Sequence, residues 1–103
     1  MAVEHLNEQN FEQNVRNQSG PVLIDFWANW CMPCRMLGPV LEQVAQDMPE
    51  AKIFKVNVDE SPALAQAFRV SSIPMLVVIE NNQVVETKVG LQSKEAVKAM
   101  LQR

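Results

Sequence analysis

The chain is poor in the residues on which most cofactor and metal sites depend. Its 103 residues include two cysteines, three glycines and one histidine. Two cysteines cannot knit a disulfide scaffold. Structural zinc takes four ligands, and one cysteine pair with His5 far away in sequence does not supply them. Three glycines leave no G-x-G-x-x-G loop for a flavin or a nicotinamide nucleotide. The longest uninterrupted apolar run, Met75-Leu76-Val77-Val78-Ile79, is far too short to span a membrane. Positive charge is scarce too. Nine basic side chains face twelve acidic ones, for a net charge of −3, and no basic run exists. That argues against nucleic acid or an anionic membrane as the main partner. No internal repeat or low-complexity segment is present. The opening residues, MAVEHLNEQNFEQ, hold no basic segment followed by an apolar one, so a cytoplasmic protein without a signal peptide is expected.

What the chain does have is enough apolar residue to build a core. It is 48% hydrophobic and 20% charged, and its length suits one domain over 1–103. Ala2 to Leu6 reads as a short edge strand. Asn7 follows as an N-cap, with Leu6 and Phe11 as a hydrophobic staple and Gly20-Pro21 as the stop. Val22 to Trp27 is a near-continuous apolar run, the mark of a strand buried on both faces. Leu37, Val40, Leu41, Val44, Ala45 and Met48 then share one helical face, with a kink expected at Pro39 and an end at Pro49. Ile53 to Val58 is the next strand, which makes a βαβ unit with parallel strands. Ser61-Pro62 opens a helix carrying Leu64, Ala67 and Phe68. Met75–Ile79 and Val84–Val89 form a hairpin around Asn81-Asn82-Gln83, and Ser93 caps a last helix with Val97, Met100 and Leu101. The order β-α-β-α-β-α-β-β-α implies an α/β sandwich with helices on both faces of a mixed sheet.

Both cysteines lie in Trp27-Ala28-Asn29-Trp30-Cys31-Met32-Pro33-Cys34, where the buried strand hands over to the long helix. Three readings compete. As a staple, a four-residue loop stabilises little, about 2 kcal/mol in the chain-entropy model. As a metal clasp, the pair lacks the other two ligands, unless a dimer brings them. As a reactive pair, it has what thiol–disulfide exchange needs. The free N–H groups and positive end of the helix favour an anion at Cys31, and one helical turn brings Cys34 to the same side. Working sites in open α/β sheets lie beyond the carboxyl ends of strands, where this motif sits. Asp25 is an odd residue for an apolar strand. It is either a carboxyl on the solvent face or a buried one whose pKa desolvation raises. Lys55 either approaches it from the neighbouring strand or is a surface lysine.

With those residues placed, the chain resembles the thioredoxin family over nearly its whole length. The family's D-F-W-A-x-W-C-G-P-C core stands here as Asp25-Phe26-Trp27-Ala28-Asn29-Trp30-Cys31-Met32-Pro33-Cys34. The helix proline is Pro39, the K-x-N-x-D strand end is Lys55-Val56-Asn57-Val58-Asp59, the cis-proline segment is Ile73-Pro74, and the late glycine is Gly90. The resemblance implies an α/β/α sandwich of thioredoxin type around a central mixed β-sheet. It also implies a thiol–disulfide oxidoreductase that reduces protein disulfides. Cys31 would attack, Cys34 would resolve the mixed disulfide, and Asp25 would take or relay the proton of Cys34. Pro74 would be cis beside the cysteines. Trp30, Met32, Pro33, Ile73, Pro74, Met75 and Gly90 would form the docking surface, supported by Trp27, Pro39 and Lys55. No metal or cofactor is implied beyond a redox-active Cys31–Cys34 disulfide. The implied partners are disulfide-containing protein substrates and a separate thioredoxin reductase, with the chain working as a monomer.

Three residues depart from the family pattern. Met32 replaces glycine between the cysteines, and Met75 replaces threonine after the cis-proline. Both methionines are expected on the rim around Cys31, where they would change partner choice or redox potential. Asn81-Asn82 replaces Asn-Gly in the hairpin and reads as a cosmetic change, because Asn tolerates positive φ. Two other functions stay open at this point: a more oxidising oxidase or isomerase, and a non-catalytic binding module that uses the methionine rim.

Overall fold

Alternation along each strand decides which helices cover which face of the sheet. In the computed structural model, which describes residues 3–103, five strands line up in the order β1-β3-β2-β4-β5. They are β1 (Val3–Leu6), β2 (Val22–Trp27), β3 (Lys52–Asn57), β4 (Met75–Glu80) and β5 (Gln83–Val89). The strand expected from Ala2 is thus seen from Val3, and Ala2 lies outside the described residues. The pairs β1–β3 and β2–β3 are parallel, while β2–β4 and β4–β5 are antiparallel. The sheet is mixed, with β2 buried near its centre as its apolar run requires.

Leu23 of β2 points to one face and meets Leu37, Leu41, Val44 and Ala45 of α2 (Met32–Asp47) and Val97, Met100 and Leu101 of α4 (Lys94–Leu101). Its neighbours Val22, Ile24 and Phe26 point the other way. They pack with Phe11 and Val15 of α1 (Phe11–Val15) and with Leu64 and Phe68 at α3 (Pro62–Ala67). These two cores, one on each face, make the α/β/α sandwich. Asp25 is two residues after Leu23, so it belongs to the α2 and α4 face.

The helix ends show how side chains compete with backbone. Ser93 caps α4 by accepting the Ala96 N–H at 3.1 Å. Ser93→Ala should lower stability by about 1 kcal/mol in urea unfolding, with no change in slope, the usual effect of deleting a cap. Ser61 precedes Pro62 as expected, but its side chain makes no capping bond.

The start of α1 differs from the expected one. Asn7 does accept backbone N–H groups, from Gln9 at 2.9 Å and Asn10 at 3.0 Å. It caps a turn and not the helix. Asn10 takes the Asn7 N–H with its own side chain at 2.8 Å, and the helix begins only at Phe11. The end of α1 also comes well before Gly20-Pro21. Val15 is its last residue, and Asn17 turns the chain left-handed at φ 63°. The long helix α2 runs through Pro39 and stops at Asp47, just before Met48 and Pro49.

The hairpin corrects one expectation. Asn81 and Asn82 both adopt positive φ, 55° and 64°, as a tight two-residue turn needs. Asn82 does more than tolerate that shape. Its carboxamide accepts the Asn17 N–H at 2.8 Å and donates to the Asn17 side chain at 3.0 Å. A glycine there would lose both bonds, so the Asn-Asn turn is not a cosmetic change.

Candidate active site

The site is built where β2 ends and α2 begins. Cys31 is the N-cap of α2, in extended conformation, and Pro33 fits the first turn, where its missing N–H is no loss. The Cys31 sulfur accepts the Cys34 N–H at 3.2 Å. One helical turn therefore both presents the two sulfurs together and directs a donor at the first. Cys31 and Cys34 are joined as a disulfide, with their Cα atoms 5.2 Å apart, so the structure shows the oxidised form. Ala28 and both cysteines form a small buried cluster, against which Trp27, Val58 and Ile73 pack. Cys34 is the deeper of the pair, at 2% exposure against 5% for Cys31. The surface offered to a partner at Cys31 is thus narrow.

The segment that faces the disulfide is remote in sequence. The Ile73–Pro74 peptide bond is cis, and the Ile73 carbonyl oxygen lies 3.8 Å from the Cys31 sulfur. Gly90, at φ 96°, donates its N–H to the Pro74 carbonyl at 2.8 Å. The positive φ favours glycine at that point. Cys31, Ile73, Pro74 and Gly90 are thereby brought to one end of the sheet.

Asp25 lies under α2, fully buried in the sheet. Its register neighbours are Lys55 on β3 and Leu76 on β4. Among the described residues neither carboxylate oxygen has a hydrogen-bond partner. Burial therefore pushes its pKa up to about 7, against a smaller downward pull from Lys55. Lys55 is not a free surface lysine. Its ammonium stands 4.5 Å from the centre of the Trp27 ring and 3.7 Å from where a side chain on Gly38 would begin. That second distance is ordinary van der Waals contact, so Lys55 packs against α2 at Gly38. Trp27 also meets the His5 ring edge-on at 5.9 Å.

Trp30 is 70% exposed, yet its indole N–H donates to Asp59 at 2.8 Å. Asp59 is held in turn by Asn57, whose side chain accepts the N–H of Asp59 at 2.8 Å and of Glu60 at 3.2 Å. The strand end Asn57-Val58-Asp59 thus anchors the tryptophan beside the cysteines. Its composition marks a turn but says nothing of Trp30, which is 29 residues away.

The methionines divide. Met32 is 61% exposed, on the expected rim. Met75 is not on that rim. It is only 7% exposed and packs in the core with Phe26 and Val77, because its side chain points to the α1 and α3 face of β4. The second exposed methionine is Met36, at 54%, which the helical pattern left unassigned. It lies one turn after Met32 on the same side of α2.

This geometry agrees with what the chain is similar to. A family model described as Thioredoxin matches residues 2–103. The chain belongs to the thioredoxin family. A thioredoxin of Staphylococcus haemolyticus is 44% identical over 100% of this chain and 98% of its own length. One from Haemophilus influenzae is 47% identical over 89% of this chain and 87% of its own. A solved mutant thioredoxin from Halobacterium salinarum superposes with a TM-score of 0.87 at 38% identity, over 96% of this chain and 87% of that one. With its Cys31–Cys34 pair, this thioredoxin-family chain is a thiol–disulfide oxidoreductase of the protein-disulfide reductase type. No helix among the described residues is long and apolar enough to cross a membrane.

Proposed function

We propose that Cys31 carries the attack on a substrate disulfide and that Cys34 completes the exchange. The carrying observation is the helix tip itself, with Cys31 as N-cap and the Cys34 N–H directed at its sulfur. A donor and a helix N-terminus stabilise a thiolate more than a thiol. In the reduced protein the Cys31 thiolate bonds to one substrate sulfur, and the other substrate sulfur leaves with the electron pair. Cys34 then gives its proton to the Asp25 carboxylate and attacks Cys31. The substrate sulfur departs as thiolate and is protonated, and the protein keeps the disulfide seen here. No cofactor enters either step.

Docking falls to the surface around Cys31. An extended substrate segment can lie against the backbone before Pro74, in the manner of an added strand. Trp30, Met32, Pro33, Ile73 and Gly90 supply the apolar contact, while Met75 supplies backbone only. Trp27, Pro39 and Lys55 support the site from behind. A thioredoxin reductase is the partner that returns the dithiol, and the family's reducing role suits the cytoplasm. The site is complete within one chain, so a single domain acting as a monomer suffices.

Cys34→Ser tests the division of roles. Mixed with a disulfide peptide, it should accumulate a mixed disulfide through Cys31, read by mass spectrometry after proteolysis. No accumulation by Cys34→Ser, or equal accumulation by Cys31→Ser through its remaining Cys34, would contradict the assignment. Trp30→Ala should raise KM for insulin about fivefold in steady-state assays, since it removes a large apolar contact and the bond to Asp59.

A further inference from the structure

The docking surface holds an exposed sulfur that the exchange reaction does not use. Met32 and Met36 are 61% and 54% exposed, on consecutive turns at the start of α2. The other described methionines are sheltered. Met48 packs against the core, while Met75 and Met100 are 7% and 1% exposed. In the disulfide form Cys31 and Cys34 carry no thiolate. Met32 and Met36 are then the described sulfur residues most exposed to a dissolved oxidant. Nothing in the fold requires an apolar side chain at Met32, because it covers no core.

We infer that Met32 and Met36 are a peroxide-sensitive pair and that sulfoxide formation at Met32 weakens partner docking. This rests on the docking surface proposed above. The thioether sulfur bonds to one oxygen of hydrogen peroxide, and the O–O bond breaks. The second oxygen leaves as hydroxide and becomes water by taking the proton that the sulfur-bound oxygen gives up. The sulfur is oxidised by two electrons and the peroxide is reduced by two. The sulfoxide is polar and chiral, so a flexible apolar contact beside Cys31 is replaced by a group that keeps its water. The dithiol chemistry is untouched, but the oxidised protein meets its reductase less well. Peroxide thereby slows the recharging of the same site.

The test starts from the disulfide form. It is treated with hydrogen peroxide, freed of it, mapped by peptide mass, and assayed with a thioredoxin reductase over a range of concentrations. Oxygen should appear on Met32 and Met36 well before Met48, Met75 and Met100. KM should rise about fivefold with kcat unchanged, equivalent to about 1 kcal/mol of docking. Met36→Leu should keep that rise and Met32→Leu should lose most of it. Treatment with methionine sulfoxide reductases should restore the original KM. Equal oxidation of Met75 or Met100 overturns the inference. So does an unchanged KM in protein shown to carry the Met32 sulfoxide, or a rise that Met36→Leu abolishes. Failure of untreated protein to accept electrons from the reductase would instead contradict the functional reading, and the oxidation map would still decide which sulfurs react.

Discussion

Cys31→Ser is expected to abolish disulfide reduction. In an insulin precipitation assay with dithiothreitol, its rate should fall to that of dithiothreitol alone. A serine hydroxyl at this helix tip is not ionised near neutral pH and cannot form a mixed disulfide, so no first step exists. The fold should survive the change. The serine oxygen can still accept the Cys34 N–H and cap α2, as serines do at other helix starts. What is lost is the short cross-link, worth about 2 kcal/mol in the chain-entropy model, so the variant should resemble reduced wild type in stability. Urea unfolding of both proteins under reducing conditions checks that point. A rate equal to wild type in a correctly folded variant would mean that Cys31 does not attack. The oxidised protein does not provide the attacking species itself, but it does provide the geometry: a sulfur at the N-cap, a donor directed at it, and the Ile73 carbonyl opposite.

Local signals were the legible part of this molecule. The apolar run of β2, the helical face of α2 and the punctuation at Pro49, Pro62 and Ser93 each act within a few residues, so order and type of the elements could be read directly. The chemistry at Cys31 and Cys34 was legible for the same reason, since one strand-to-helix junction holds both. Pro74 was different. Its cis geometry and its place beside Cys31 came from the resemblance, because 42 positions lie between the two and local spacing encodes nothing about their contact. Contacts of that range were also where readings failed. The Asn17–Asn82 pair joins residues 65 apart, and the Trp30–Asp59 bond joins residues 29 apart. Met75 faces the core because residues of a strand alternate faces, and which face of β4 it takes is settled by pairing with β2, not by local sequence. Met36 was passed over because helix patterns are read for the buried face, and it stands on the other one.

Asp25→Asn should make the protein more stable at pH 8 and leave it nearly unchanged at pH 4. The wild-type carboxyl has its pKa raised from 3.8 to about 7, first by desolvation, with Lys55 opposing. Between those values the folded chain holds a proton that the unfolded chain has released. The folded state binds more protons, so wild-type stability falls as pH rises, by about 1.4 kcal/mol per unit. The loss begins near pH 4, is complete a little above pH 7, and amounts to about 4 kcal/mol. An asparagine has the size of the protonated acid, is buried in the same place and never ionises, so its stability should show no such slope from this position. Urea unfolding at pH 4 and pH 8 measures the difference directly. Activity should move the other way. Without the carboxylate, the resolving thiol must lose its proton with no acceptor behind it. The rate should fall by about tenfold or more at pH 7, with the loss shrinking as pH rises. The fold thus carries a buried carboxyl with no hydrogen-bond partner whose ionisation near pH 7 weakens it, at the position proposed to accept the Cys34 proton. A stability difference that stayed flat from pH 4 to pH 8 would mean that the Asp25 carboxylate is solvated in the folded chain, and its role as that acceptor would lose its physical basis.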